Sequence, residues 1–175
     1  MTCVSIRELH YDNIKQETNM EQYQPFKRKI NYYETDKMQV VHHSNYIRYL
    51  EECRMDFLKQ IDLDYEVMEA KGVMIPVLSV ECSYITPAKF GETICIVPKL
   101  EKFTGIKFEM SYKIYSADDG VLHNRAHSSH CFVGLDFKPI RIKREHPHIY
   151  EVMSSLVGKD WEEIWGDDFI NSSAL

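Results

Sequence analysis

The chain has 175 residues, 44% hydrophobic and 27% charged, with a formal net charge of −6. That length and balance fit one globular domain with a real core, and the negative charge argues against nucleic acid or an anionic membrane as the main partner. No apolar run approaches the ~20 residues of a membrane span, and Met1 to Lys15 lacks the apolar stretch of a signal peptide. The cysteines Cys3, Cys53, Cys82, Cys95 and Cys131 are odd in number and widely spaced, with no C-x-x-C, a pattern of reduced thiols in a cytoplasmic protein.

Residues 1–24 are polar, mixed in charge and weakly periodic, and read as an N-terminal extension. Phe26 to Tyr33 reads as the first strand, with aromatics and Ile30 among basic residues. A polar loop, Tyr33 to His43, carries Asp36 and leads to Ser44, a helix cap with Asn45 as its competitor. From Asn45 to Ile61 apolar residues recur at helical spacing: Tyr46, Leu50, Cys53, Phe57 and Ile61 form a stripe that Ile47, Tyr49 and Leu58 widen. So wide an apolar surface predicts a helix that is wrapped by other structure. Asp62 to Lys71 reads as a second short helix ended by Gly72.

Beyond Gly72 the period changes to two. Leu78, Val80, Cys82 and Tyr84 alternate with Val77, Ser79, Glu81 and Ser83. Thr93 to Lys102 is a strand in which Pro98 signals an edge or bulge. After a turn at Phe103 to Gly105, Phe108, Met110, Tyr112 and Ile114 alternate with Lys107, Glu109, Ser111 and Lys113, the cleanest strand pattern in the chain. Asp118-Asp119-Gly120 predicts a hairpin into a long last strand, Val121 to Leu135, which Ile140 to Lys143 continues after a bend at Pro139. His146 to Val157 reads as a helix with Pro147 in its first turn, and Gly158 to Leu175 as a docked helix or an acidic tail. The order is that of an α+β chain, one long helix and then antiparallel strands whose sheet curls around it. A curled sheet with a single helix leaves an open side, so self-association through an edge is expected.

Tyr33-x-Thr35-Asp36-x-x-x-Val40-Val41-x-His43-x-x-Tyr46, followed by Glu51-x-x-Arg54, resembles the signature of hotdog-fold acyl-CoA thioesterases of the 4-hydroxybenzoyl-CoA thioesterase family. Tyr84-x-x-Pro87-Ala88 and Leu135-Asp136-x-x-x-Pro139 are similar to its later strand ends. The resemblance covers about Phe26 to Lys143. It implies a hotdog domain over residues 25–144, followed by a C-terminal helix and acidic tail over 145–175. It further implies a homodimer or homotetramer acting on acyl-CoA or acyl-ACP, with Asp36 as the catalytic carboxylate and the helix N-terminal amide of His43 polarising the thioester carbonyl. Gln39, Val41 and Tyr46 are the implied substrate-side residues, Tyr46 more as structure than as chemistry. The family usually has glycine three residues after the aspartate, where positive φ is easy. Gln39 stands there instead, and reshapes the loop, narrows the site or supplies a side-chain amide to the oxyanion.

A carboxylate beside a helix N-terminus makes chemical sense, because unpaired N–H groups hold a carbonyl oxygen as it gains charge. Asp36 either attacks the carbonyl to give a mixed anhydride or acts as base for water. Its bland reading is a loop carboxylate capping its own turn. His42 and His43 invite a base role, but side chains there more often cap or pack. His123, His127 and His130 suggest metal, yet their spacing on a strand keeps them apart, and no metal or organic cofactor is expected. Glu51 is a lesser candidate for positioning water. Glu51, Glu52 and Arg54 read as a solvated or interface-paired helix face, and Glu34 as surface. Lys99, Lys102, Lys107, Arg125, Lys138, Arg141, Lys143 and Arg144 are candidates for CoA phosphates or ordinary surface charge. The alternatives to a hydrolase are a non-catalytic acyl-thioester sensor, which the intact Asp36 motif disfavours, and a hydratase, whose Asp/His motif is absent.

Overall fold

The computed structural model describes residues 23–165. Strand β1 (Phe26–Lys29) leads through a 3₁₀ turn (Tyr32–Glu34) to the long helix α1 (His43–Gln60) and the short helix α2 (Tyr65–Ala70). Strands β2 (Val77–Tyr84), β3 (Thr93–Phe103), β4 (Lys107–Ser116) and β5 (Leu122–Cys131) follow, then α3 (Ile142–Glu145), α4 (Pro147–Leu156) and α5 (Trp161–Trp165). The five strands form one antiparallel sheet in the order β1-β3-β4-β5-β2. Helix α1 packs on β3 and on both edge strands, β1 and β2, so the sheet bends around it.

The core follows the sequence periods. On α1, Tyr46, Tyr49, Leu50, Cys53, Phe57 and Leu58 are buried, with Ile61 just past its end. Ile47 departs from this set and is exposed. On β4, Phe108, Met110, Tyr112 and Ile114 face inward, and each intervening residue is more exposed. Strand β3 is buried on both faces from Ile94 to Pro98 because the C-terminal segment covers its outer side. There Trp161 is buried, Lys99 pairs with Asp160 (2.9 Å), and Glu162 accepts from Lys113 and from the Tyr115 hydroxyl (2.7 Å). Pro98 lies past the last β1 pair, Phe26 with Ile96. Two residues on, the Leu100 carbonyl accepts from the Gly158 N–H (2.8 Å) where a strand neighbour would otherwise stand.

Several boundaries differ from the sequence reading. The first strand stops at Lys29, because Asn31 and Glu34 close a reciprocal capping box that turns the chain. Helix α1 starts at His43, with His42 as its cap in place of Ser44. The last strand ends at Cys131, and residues 142–145 form a helical turn where a strand continuation was expected. Between them the chain makes a tight hairpin: Phe137 takes φ +59°, and Gly134 N–H donates to the Lys138 carbonyl (3.0 Å). Tyr23 and Gln24, at the end of the expected extension, already belong to the body. Tyr23 packs on Phe57 and Trp161, and Gln24 bonds Gln60. The rest of the extension, with Cys3, and the tail from 166 onward lie outside the described residues. The four described cysteines are free thiols.

Candidate active site

Asp36 opens a five-residue hairpin. Its N–H donates to the Val40 carbonyl (3.0 Å), and its carbonyl accepts from the Gln39 N–H (2.9 Å). This is a three-residue loop whose last member must adopt the left-handed conformation. That member is Gln39, at φ +63°. The backbone need that glycine usually meets is therefore met here by glutamine. Asp36 Oδ1 accepts from the Met38 N–H (2.8 Å), which is the turn-capping role of the bland reading. The same bond fixes the carboxylate's direction, and Oδ2 has no hydrogen-bond partner among the described residues.

The hairpin is seated on the start of α1. Thr35 and Val41 pair across its base, and Val41 N–H donates to the Ala88 carbonyl (2.9 Å). His42 N–H and Asn45 Nδ2 both donate to the Glu34 carbonyl, at 2.9 and 2.7 Å. His42 Nδ1 caps the helix by accepting from Ser44 N–H (3.3 Å) and lies 2.8 Å from Ser44 Oγ. The His43 N–H, the first in the helix, has no acceptor among the described residues. Underneath, the loop after β2 is braced by His123. Its Nδ1 meets Thr86 Oγ1 (2.9 Å) and its Nε2 meets Glu92, whose other oxygen accepts from the Lys89 N–H (2.9 Å).

An open cleft of about 780 Å³ adjoins the hairpin, lined by Tyr32, Tyr33, Thr35, Asp36, Lys37, Gln39 and Phe90. Tyr32 and Phe90 meet edge to face at 5.6 Å, and both remain largely exposed. Of the residues singled out in the sequence, Asp36 and Gln39 line this cleft together. Val41 and Tyr46 are buried in the scaffold behind it, and His43 is exposed at the helix start. Burial lifts the Tyr46 phenol to about 12, and its ring packs at a tilt against Tyr49 and edge-on against Tyr84.

Two charged residues sit elsewhere than the sequence suggested. Glu34 is buried, because its carboxylate takes the Arg28 guanidinium and the Asn31 N–H (2.7 Å). Arg28 also pairs with Glu52 (2.7 Å) and lies 4.0 Å over the Tyr49 ring. Arg54 is buried rather than solvated, and its Nη1 donates to His130 Nδ1 (2.8 Å). A guanidinium only donates, so Nδ1 is the acceptor and Nε2 carries the proton toward Ser128 Oγ (2.7 Å), which in turn meets the Tyr112 hydroxyl (3.1 Å). Burial first, and Arg54 second, push His130 down to about 3. Glu51 remains exposed. His123, His127 and His130 go to separate partners, His127 standing 3.6 Å from Glu109, and no metal-binding group of three converges among the described residues. Of the basic candidates for phosphate, Lys99, Lys102 and Lys138 are occupied by Asp160, Glu109 and Asp136.

The sequence profile of the thioesterase-like superfamily matches residues 30–152, which spans the hairpin, α1 and the whole sheet from β2 onward. The chain belongs to this superfamily. Among the superfamily's proteins, it is 37% identical over 120 residues to Bacillus subtilis YneP, provisionally named an acyl-CoA thioesterase, covering 68% of this chain and 86% of that one. It is 30% identical over 92 residues to the Helicobacter pylori acyl-CoA thioesterase YbgC, covering 51% and 67%. The solved DHNA-CoA thioesterase of Staphylococcus aureus superposes with a TM-score of 0.72 at 28% identity, covering 75% and 89%. The five-stranded curled sheet around α1 is thus the hotdog fold of this superfamily.

Proposed function

We propose that this protein is an acyl-CoA thioesterase, hydrolysing an acyl thioester to the free acid and CoA. The observation that carries the reading is the Asp36 hairpin: one carboxylate oxygen held by the Met38 N–H, the other unpartnered among the described residues, at an open cleft, in a hairpin whose base is bonded through Glu34 to the start of α1. The relatives named as thioesterases support it.

The chemistry asks little of the protein beyond placement. Thiols ionise near ~8.5, so CoA is a good leaving group. Asp36 attacks the thioester carbon or takes a proton from an attacking water. The carbonyl oxygen gains negative charge and is held by the His43 N–H at the positive end of α1. The C–S bond breaks and the CoA thiolate leaves. On the nucleophilic route, water then cleaves the mixed anhydride and regenerates the carboxylate. Single turnover in ¹⁸O-water identifies the nucleophilic route when water enters at the Asp36 carbonyl of the anhydride, since label then remains in Asp36; entry at the acyl carbon sends the label to the product acid on either route.

The assembly in this reading is a homodimer formed through β2. Among the described residues that strand is an unpaired sheet edge, with Val77, Leu78 and Tyr84 exposed on it and Ile85 exposed just beyond, an apolar edge of the kind that a second copy covers. Free-thiol release from acyl-CoAs with short, long and aromatic acyl groups tests the activity. Turnover of at least one is expected, and inertness toward all would overturn the reading.

A further inference from the structure

Tyr84 is the last residue of β2, on the free edge of the sheet, and 53% of its surface is exposed. Its polar end is nevertheless committed: the hydroxyl donates to the His43 carbonyl at 3.2 Å, joining residues 41 apart in the chain. The ring packs edge-on against Tyr46 (5.3 Å, 72°) and meets the His43 ring (6.5 Å, 78°).

The first turn of a helix is its loosest part, because its N–H groups have no partners within the helix. In α1 one flank of that turn is tied to Glu34 through His42 and Asn45. Tyr84 adds a tie from the sheet, at the carbonyl of His43, whose own N–H has no acceptor among the described residues. We infer that Tyr84 is a positioning residue of the thioesterase site: its hydroxyl pins the His43 carbonyl, and so holds the His43 N–H in one direction while the substrate oxygen gains charge. The inference rests on the proposed thioesterase reading. A donor aimed at developing charge matters most in the transition state, so its misplacement lowers kcat and leaves KM in place.

Tyr84→Phe tests this, since it keeps the ring and its contacts and removes only the hydroxyl. Thiol release from an acyl-CoA should show kcat about 3–10-fold lower with KM within about twofold, the loss of one aligning hydrogen bond. Independently of turnover, amide hydrogen exchange at His43 to Ile47 should quicken by a similar factor while that of the sheet is unchanged. A variant with wild-type kcat, or with a change in KM alone, overturns the inference, as does unchanged exchange in the first turn. Asp36→Asn measured alongside keeps the two questions apart. If it loses turnover while Tyr84→Phe does not, only the role of Tyr84 fails. If Asp36→Asn turns over normally, the catalytic reading itself fails.

Discussion

Gln39 holds a left-handed backbone at φ +63°, in a hairpin whose hydrogen bonds require it. An unbranched residue tolerates this at a cost of roughly 1 kcal/mol, and a β-branched one pays more. Gln39→Gly should therefore leave stability within about 0.5 kcal/mol of wild type or slightly above it, its backbone relief offset by the greater entropy of an unfolded glycine. Gln39→Val should lose about 1–2 kcal/mol. Urea melts of the two variants check this, and equal stability for both would contradict the hairpin. The residue scale also marks where sequence reading reached and where it stopped. The spacing from Asp36 to His43 was legible because one short segment contains it. The burial of Glu34 and Arg54 was not, because it depends on partners brought in by the fold: Arg28 from β1 and His130 from β5.

At the scale of elements, period was a reliable guide where one face meets the core and the other does not. Strand β4 and helix α1 are the clearest cases. It misled at Tyr32 and Tyr33, whose aromatic character suggests a strand although both sit exposed on a turn beside the cleft. The cap of α1 differs from the Ser44 that the sequence suggests, because histidine is not among the usual capping residues and here His42 Nδ1 takes that role. The contact of α1 with β5 through Arg54 and His130 has a measurable consequence. His130 is held neutral, with its folded value near 3 against 6.5 for the free side chain. Protons are then taken up by the unfolded chain alone between those values, so stability falls as pH drops from about 6.5 toward 3 and this contribution levels off below. Over the full span the loss is at most roughly 5 kcal/mol. Carboxylates titrate over part of the same range, so the test is the difference between wild type and His130→Gln. Chemical melts from pH 7 to 4 should show a shallower fall for the variant, and parallel curves would contradict the assignment.

At the scale of the whole molecule, the sheet closes on one side over α1, and the C-terminal helices cover the outside of β3. Among the described residues the β2 edge stays open, with Val77 and Leu78 exposed. A charge placed there blocks strand pairing. Leu78→Lys should shift the protein from dimer toward monomer by light scattering at micromolar concentration, and a wild-type monomer would contradict pairing through this edge. No described helix is long and apolar enough to cross a membrane. The central claim concerns one carboxylate, and Asp36→Asn addresses it with little structural disturbance, since the amide oxygen still accepts from the Met38 N–H. The decisive measurement is acyl-CoA turnover by Asp36→Asn against wild type, followed as released thiol. The account predicts kcat lower by ~10² or more with the melting curve unchanged; turnover within about threefold of wild type would contradict it.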